Sequence, residues 1–189
     1  MAGEIQLNGT SLATESSGVI SLGTAVKPTG ADQIVQVKTA TTDTQSDVVT
    51  SDVTILDLEF ATKSVNSKFI AIVTTLIGGD GDSYGGWHGI SLTSGSTPTV
   101  TDYIERGAAT STRSVNDALW YVDYGVAEST YSMTPCTFSA EKITTIAAGT
   151  TISVAYWCRG QNNVYINRSR NRTTHESGIT KLIVYEIAQ

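Results

Sequence analysis

The chain has 189 residues, a net charge of -6 and only 16% charged residues, against about 25% in an ordinary domain. That length supports one domain with a sizeable core plus a short extra segment. The acidic balance lacks the basic footprint of a nucleic-acid binder, and the longest apolar run, FIAIV (69–73), is far too short to span a bilayer.

Residues 1–28 contain no aromatic side chain, and short apolar pairs alternate there with Gly, Ser, Thr and Asn. This predicts a loosely structured arm with one or two short strands, closed by Pro28. No basic-plus-apolar leader is visible, so a soluble product made in the cytoplasm is expected.

From Gln33 onward strand signals recur: QIVQVKT (33–39), VTILDLEF (53–60), SKFIAIVTTLI (67–77) and GISLTSG (89–95). Leu56, Leu58 and Phe60 share one face of their strand, and Asp57 and Glu59 the other. LWYVDY (119–124) follows, with Trp120 and Tyr124 on one side and Tyr121 on the other. YSMTPCTF (131–138) carries Pro135, which predicts an edge or bulged strand. TISVAYWC (151–158) alternates cleanly, and NVYIN (163–167) and TKLIVYEIA (180–188) finish the set. The outer faces are rich in hydroxyls, with 29 Thr and 20 Ser in the chain. Eight or more strands without helical spacers predict an all-β sandwich over residues 29–189.

Several residues match chemical patterns in part. GDSYG (81–85) has the form of a nucleophile elbow around Ser83, but no helix pattern follows it. An esterase is therefore the remote alternative, and a non-enzymatic chain is expected. Asp80 and Asp82 could offer oxygens to Ca²⁺, yet the further acidic positions of a calcium loop are missing. His88 and His175 sit in no metal pattern and read as loop or packing residues, and no cofactor is expected. Cys136 and Cys158 show no metal spacing and read as two reduced core thiols, with a disulfide left open.

The most informative cluster is Arg168, Arg170 and Arg172, half of the six arginines in the chain. If the strand from Val164 continues, these point to one face with Val164 and Ile166, about 7 Å apart. The bland alternative is a solvated loop whose arginines pair with carboxylates such as Glu176. The functional alternative is a protein contact, since the planar guanidinium binds carboxylates bidentately. Residues 43–59 supply five acidic side chains, Asp47 among them, so complementary patches exist within the chain. Trp120, Tyr121, Tyr124, Tyr156 and Trp157 add aromatic surface suited to an interface.

VYINRS (164–169), then a polar loop, then GITKLIVYEIAQ (178–189) resembles the C-terminal jelly-roll module of virion structural proteins of tailed bacteriophages. GVISLGTAVKPTGADQIVQV (18–37) is similar to the lead-in of phage fibre and decoration proteins, and GDSYGGWHGISLTSG (81–95) matches in general character. The arginine triplet departs from the pattern, whose loop often carries Asp. The resemblance implies an antiparallel jelly roll of tumour-necrosis-factor-like shape, a homotrimer, and a structural or adhesive role on the outer surface of the virion. The size favours a capsid decoration (cement) protein on the major capsid protein, with residues 1–28 as the anchoring arm. The alternative is a head-fibre, tail-fibre or receptor-binding tip that meets a host surface ligand. Neither nucleic acid nor membrane is an expected partner.

Overall fold

The computed structural model describes residues 3–7, 10–16, 19–22, 32–48, 51–79, 86–95, 118–120, 133–160, 164–169 and 177–189. Every regular element among them is a β-strand. Asp80, Asp82, Ser83, Tyr121, Tyr124, Arg170, Arg172 and His175 lie outside the described residues, and Trp120 is described by its backbone alone.

Three short strands open the chain: β1 (Gly3–Leu7), β2 (Thr10–Ser16) and β3 (Val19–Leu22). They pair antiparallel in that order, with Leu7 opposite Thr10 and Ser16 opposite Val19. Only Asn8-Gly9 and Ser17-Gly18 separate the paired ends. Dipeptides of this kind tolerate the positive φ of two-residue hairpins.

The other ten strands build two antiparallel sheets. The first holds β4 (Gln33–Thr42), β5 (Ser46–Val48), β7 (Lys68–Gly79), β10 (Thr134–Ile143), β12 (Val164–Ile166) and β13 (Thr180–Ala188). Its order is β4-β13-β7-β12-β5, and β10 takes the other edge of β7. The second sheet holds β6 (Asp52–Ala61), β8 (Gly86–Ser94), β9 (Ala118–Trp120) and β11 (Thr151–Gly160), in the order β6-β11-β8-β9. Among the described strands β10 pairs only with β7, so Pro135 sits on an edge, where its missing N–H breaks no ladder. The expected all-β antiparallel sandwich is thus the architecture of the chain.

The core lies between the sheets. Phe69, Ala71 and Val73 of β7, with Leu182 and Val184 of β13, face Phe60, Ile90, Leu92, Ile152, Val154 and Tyr156 from the second sheet. A smaller cluster of Val48, Ile77, Cys158, Val164 and Ile166 continues it toward one end. These positions follow the period of two that places alternate side chains on one face.

β11 exceeds that pattern, because all of Ile152–Cys158 is buried, the outward residues included. Trp157 lies opposite Gly89 on β8, and a Cβ at Gly89 would come within 2.1 Å of its ring. The glycine is the space the indole occupies. Tyr156 and Trp157 are therefore inside the protomer, and neither is available as an interface aromatic.

Glu186 closes one end of the sandwich. Fully buried, it accepts hydrogen bonds from the Lys63 N–H (2.8 Å), the Ser64 N–H (2.8 Å) and the Ser67 hydroxyl (2.7 Å), and from the Gln36 amide. These donors pin the turn between β6 and β7, in which Asn66 has a φ of 55°.

Candidate functional site

The site of interest is the base of the excursion that carries the arginine cluster. β12 and β13 lie on the same edge of β7 and run in the same direction. Ile166 pairs with Ile77, and Lys181 pairs with Thr74. Thr75 and Leu76 of β7 thus separate the end of β12 from the start of β13, which residues 167–179 connect. The chain leaves the sheet after Ile166 and rejoins it at Thr180. On the next strand over, β4 and β5 break at residues 43–45 beside the same point.

Asn167 makes the exit. Its φ of 60° ends the strand, and Asn is among the residues that tolerate this region best. The strand therefore stops at Ile166, and the alternation that would align Arg168 with Val164 and Ile166 is broken. The Asn167 N–H donates to Leu76 O at 2.8 Å, and the Gly178 N–H donates to Asn167 O at 2.9 Å, closing the neck of the excursion. The Asn167 side-chain amide donates to Thr42 O and Thr44 O, both at 3.2 Å, and so bridges the β4–β5 break.

The neck is tight. A Cβ on Gly78 would lie 2.5 Å from Arg168 O, and a Cβ on Gly178 would lie 2.7 Å from Leu76 Cδ1. A side chain at Gly78 would have to move the Arg168 backbone, and one at Gly178 would have to displace the Leu76 side chain.

Arg168 is only 3% exposed. Its Nε donates to Asp47 Oδ1 at 2.7 Å, its Nη2 also meets Asp47, and its Nη1 donates to Ser169 O at 3.1 Å. The guanidinium carbon lies 4.3 Å from the centroid of the Tyr165 ring. One carboxylate, one carbonyl and one aromatic face thus engage Arg168 within the chain, and it acts as the keystone of the neck. Of the acidic stretch at 43–59, Asp47 meets Arg168. Asp52 instead pairs with Arg159 at 3.4 Å.

A buried polar chain runs from this neck into the core. Thr180 Oγ1 donates to Asn167 Oδ1 at 2.9 Å and lies 2.7 Å from Thr75 Oγ1. Burial raises the Tyr156 phenol well above its ordinary range, and Thr75 opposes that rise. The Tyr156 hydroxyl lies 2.8 Å from His88 Nδ1, and His88 Nε2 lies 3.9 Å from Cys158 Sγ. His88 stacks on Phe138 with ring centroids 4.8 Å apart.

The pairing of Cys158 with His88 has the residue types of a thiol nucleophile and its base. Its environment reverses the chemistry. Burial lowers His88 to about 3 and pushes the Cys158 thiol up. A reactive thiolate needs the opposite: an electropositive, accessible setting. Both cysteines are free, and Cys136 is raised to about 11 by burial. Among the described residues, no group of His, Cys, Asp and Glu could hold a metal ion.

The sequence singles out Arg168 and marks His88 only as a loop or packing residue, and nothing local in it joins Asn167, Thr75, Thr180 and Tyr156. Asn inside a Val-Tyr-Ile-Asn strand end was the available cue to a left-handed exit.

No family model and no curated protein matches the chain. Two solved structures are similar at 12% identity and a TM-score of 0.25, both of infectious bursal disease virus. One is the VP2 subviral particle, matched over 97% of this chain and 46% of that one. The other is the virus-derived T=1 particle, matched over 97% of this chain and 44% of that one. The chain thus spans less than half of the viral chains it matches. It has a weak structural likeness to a viral capsid protein.

Proposed function

We propose that the chain is a non-enzymatic virion structural protein of the tailed-phage kind, a decoration protein that sits on the outer capsid shell and grips the major capsid protein through residues 1–28. The observation that carries this reading is the arm itself. Among the described strands β1, β2 and β3 pair only with one another, apart from the sandwich. A small meander of this kind can bind a partner by strand addition at an edge. The resemblance of 18–37 and 164–189 to phage virion modules points the same way.

The test mixes purified shells with the full chain or with the chain lacking residues 1–28, followed by co-sedimentation. The full chain is expected to pellet with shells, and the shortened chain to stay in solution while keeping its β circular-dichroism spectrum. Equal binding by both would remove the arm from the mechanism, and binding by neither would remove the decoration role.

The anchored excursion favours a second reading, a fibre or receptor-binding tip that displays residues 170–176 to a host ligand. Electron microscopy of labelled virions separates the two, because decoration covers the shell and a tip labels one end of the particle. Ester hydrolysis that disappears in Ser83→Ala would instead support the remote esterase reading.

A further inference from the structure

The outward face of the first sheet carries an apolar patch, where one solvated face of an antiparallel sheet is ordinarily polar. The register fixes its members. Ile183, Tyr185 and Ile187 of β13 lie beside Ile72, Ile70 and Lys68 of β7 on one side, and beside Thr39, Val37 and Ile34 of β4 on the other. β10 extends the same rows with Ser139, Glu141 and Ile143. Ile34, Val37 and Ile143 are 56%, 48% and 65% exposed. Ile70, Ile72, Ile183, Tyr185 and Ile187 are half-buried. Their inward neighbours already fill the core, so this is a second apolar surface. Four strands at about 4.8 Å and three rows at about 6.8 Å make it roughly 400 Å². That is as large as the patches monomers leave uncovered, and about half of one partner's share of about 800 Å² in a stable interface, the polar rim supplying the rest.

Charge selects the occupant. Lys181 is exposed one row beyond Ile183, opposite Thr74. Glu141 lies beside Ile70, its side chain half exposed and 2.7 Å from Lys68. Lys181 and Glu141 are two strands and four residues apart, about 10 Å across the sheet and about 14 Å along it. Ile72 stands at their midpoint, since it pairs with Ile183 on one side and Ser139 on the other. A two-fold axis in the plane of the face, through Ile72, therefore exchanges the Lys181 and Glu141 positions. Each lysine then meets the other copy's glutamate. The same operation lays Ile183 of one copy over Ile70 of the other, where a depression of about 260 Å³ is lined by Ile70, Ser139, Ala140 and Glu141.

We propose that this face is a two-fold contact between two copies of this chain, with Ile72 on the axis and Lys181 paired with Glu141 across it. An isologous contact of this kind closes a dimer. It does not depend on the virion reading.

The test is light scattering of the full chain after size exclusion at micromolar concentration, with circular dichroism as the check on folding. The wild type is expected at twice the 20.0 kDa chain mass. Lys181→Glu should weaken association at least tenfold, Lys181→Glu with Glu141→Lys should restore it, and Ile72→Asp should give monomers. Lys181 is exposed, so the charge exchange reads the contact even if Ile72→Asp fails to fold. A monomeric or trimeric wild type, or a dimer indifferent to Lys181→Glu, overturns the proposal. So does a monomer whose shell binding is lost in Ile72→Asp, which would assign the face to the capsid.

Discussion

His88 Nδ1 lies 2.8 Å from the Tyr156 hydroxyl between the two sheets, with both side chains fully buried. At the neck of the excursion Asn167 aims its Nδ2 at two carbonyls, so its Oδ1 accepts and Thr180 donates to it. The Thr180 hydroxyl has one proton, so Thr75 donates to Thr180. On the far side of the histidine ring, His88 Nε2 faces the Cys158 thiol.

That arrangement makes stability depend on acid. His88 falls from 6.5 to about 3 because burial disfavours the imidazolium. Between those values the unfolded chain binds a proton that the folded chain does not. The contribution of neutral His88 is therefore fully present above pH 6.5 and is lost as pH falls toward 3. The accumulated loss is on the order of 5 kcal/mol. Urea unfolding across this window should show a slope that is shallower in His88→Gln than in the wild type. An unchanged slope would place the acid sensitivity elsewhere.

Arg168 and Asp47 should not be equivalent partners. The Arg168 side chain is 4% exposed and that of Asp47 is 39% exposed. Asp47→Ala removes the carboxylate that compensates a buried guanidinium and should cost about 3 kcal/mol or more. Arg168→Met leaves a carboxylate that water can reach and keeps an unbranched stem over Tyr165. It should cost less than half as much. Chemical denaturation of the two variants checks the order.

Gly89→Ala should be destabilising out of proportion to one methyl group. The new Cβ would lie 2.1 to 2.7 Å from the Trp157 ring. The indole must leave its place over β8, at a cost of about 1–3 kcal/mol. Thermal unfolding should show the loss, and a change in tryptophan fluorescence should show its cause.

The two thiols should differ in reactivity. Cys158 is fully buried, while Cys136 is half-buried and raised to about 11. At neutral pH a thiol reagent should label Cys136 slowly and Cys158 only on unfolding. Counting labels with and without urea, in the wild type and in Cys136→Ser, reads this directly.

The strand pattern was legible because a period of two with turn residues between the runs is a local signal. The ends of β6, β7 and β11 fall within two residues of the alternating runs that predict them. The extension of β10 to Ile143 was not, because Ser-Ala-Glu-Lys carries little strand propensity. It is held by pairing with Lys68–Ile72.

Composition and alternation by themselves determined an all-β sandwich, which side chains share a strand face, and the gathering of arginines near residue 170. Tertiary structure alone decided what Arg168 touches. Asp47 is 121 residues away in sequence, and the two meet only because β5 and β12 pair. The same holds for His88, Tyr156 and Thr180, which come from three strands in two sheets. Periodicity reports which way a side chain points relative to its own strand. Which partner waits there depends on sheet order and register, and those are set by the packing of the whole chain.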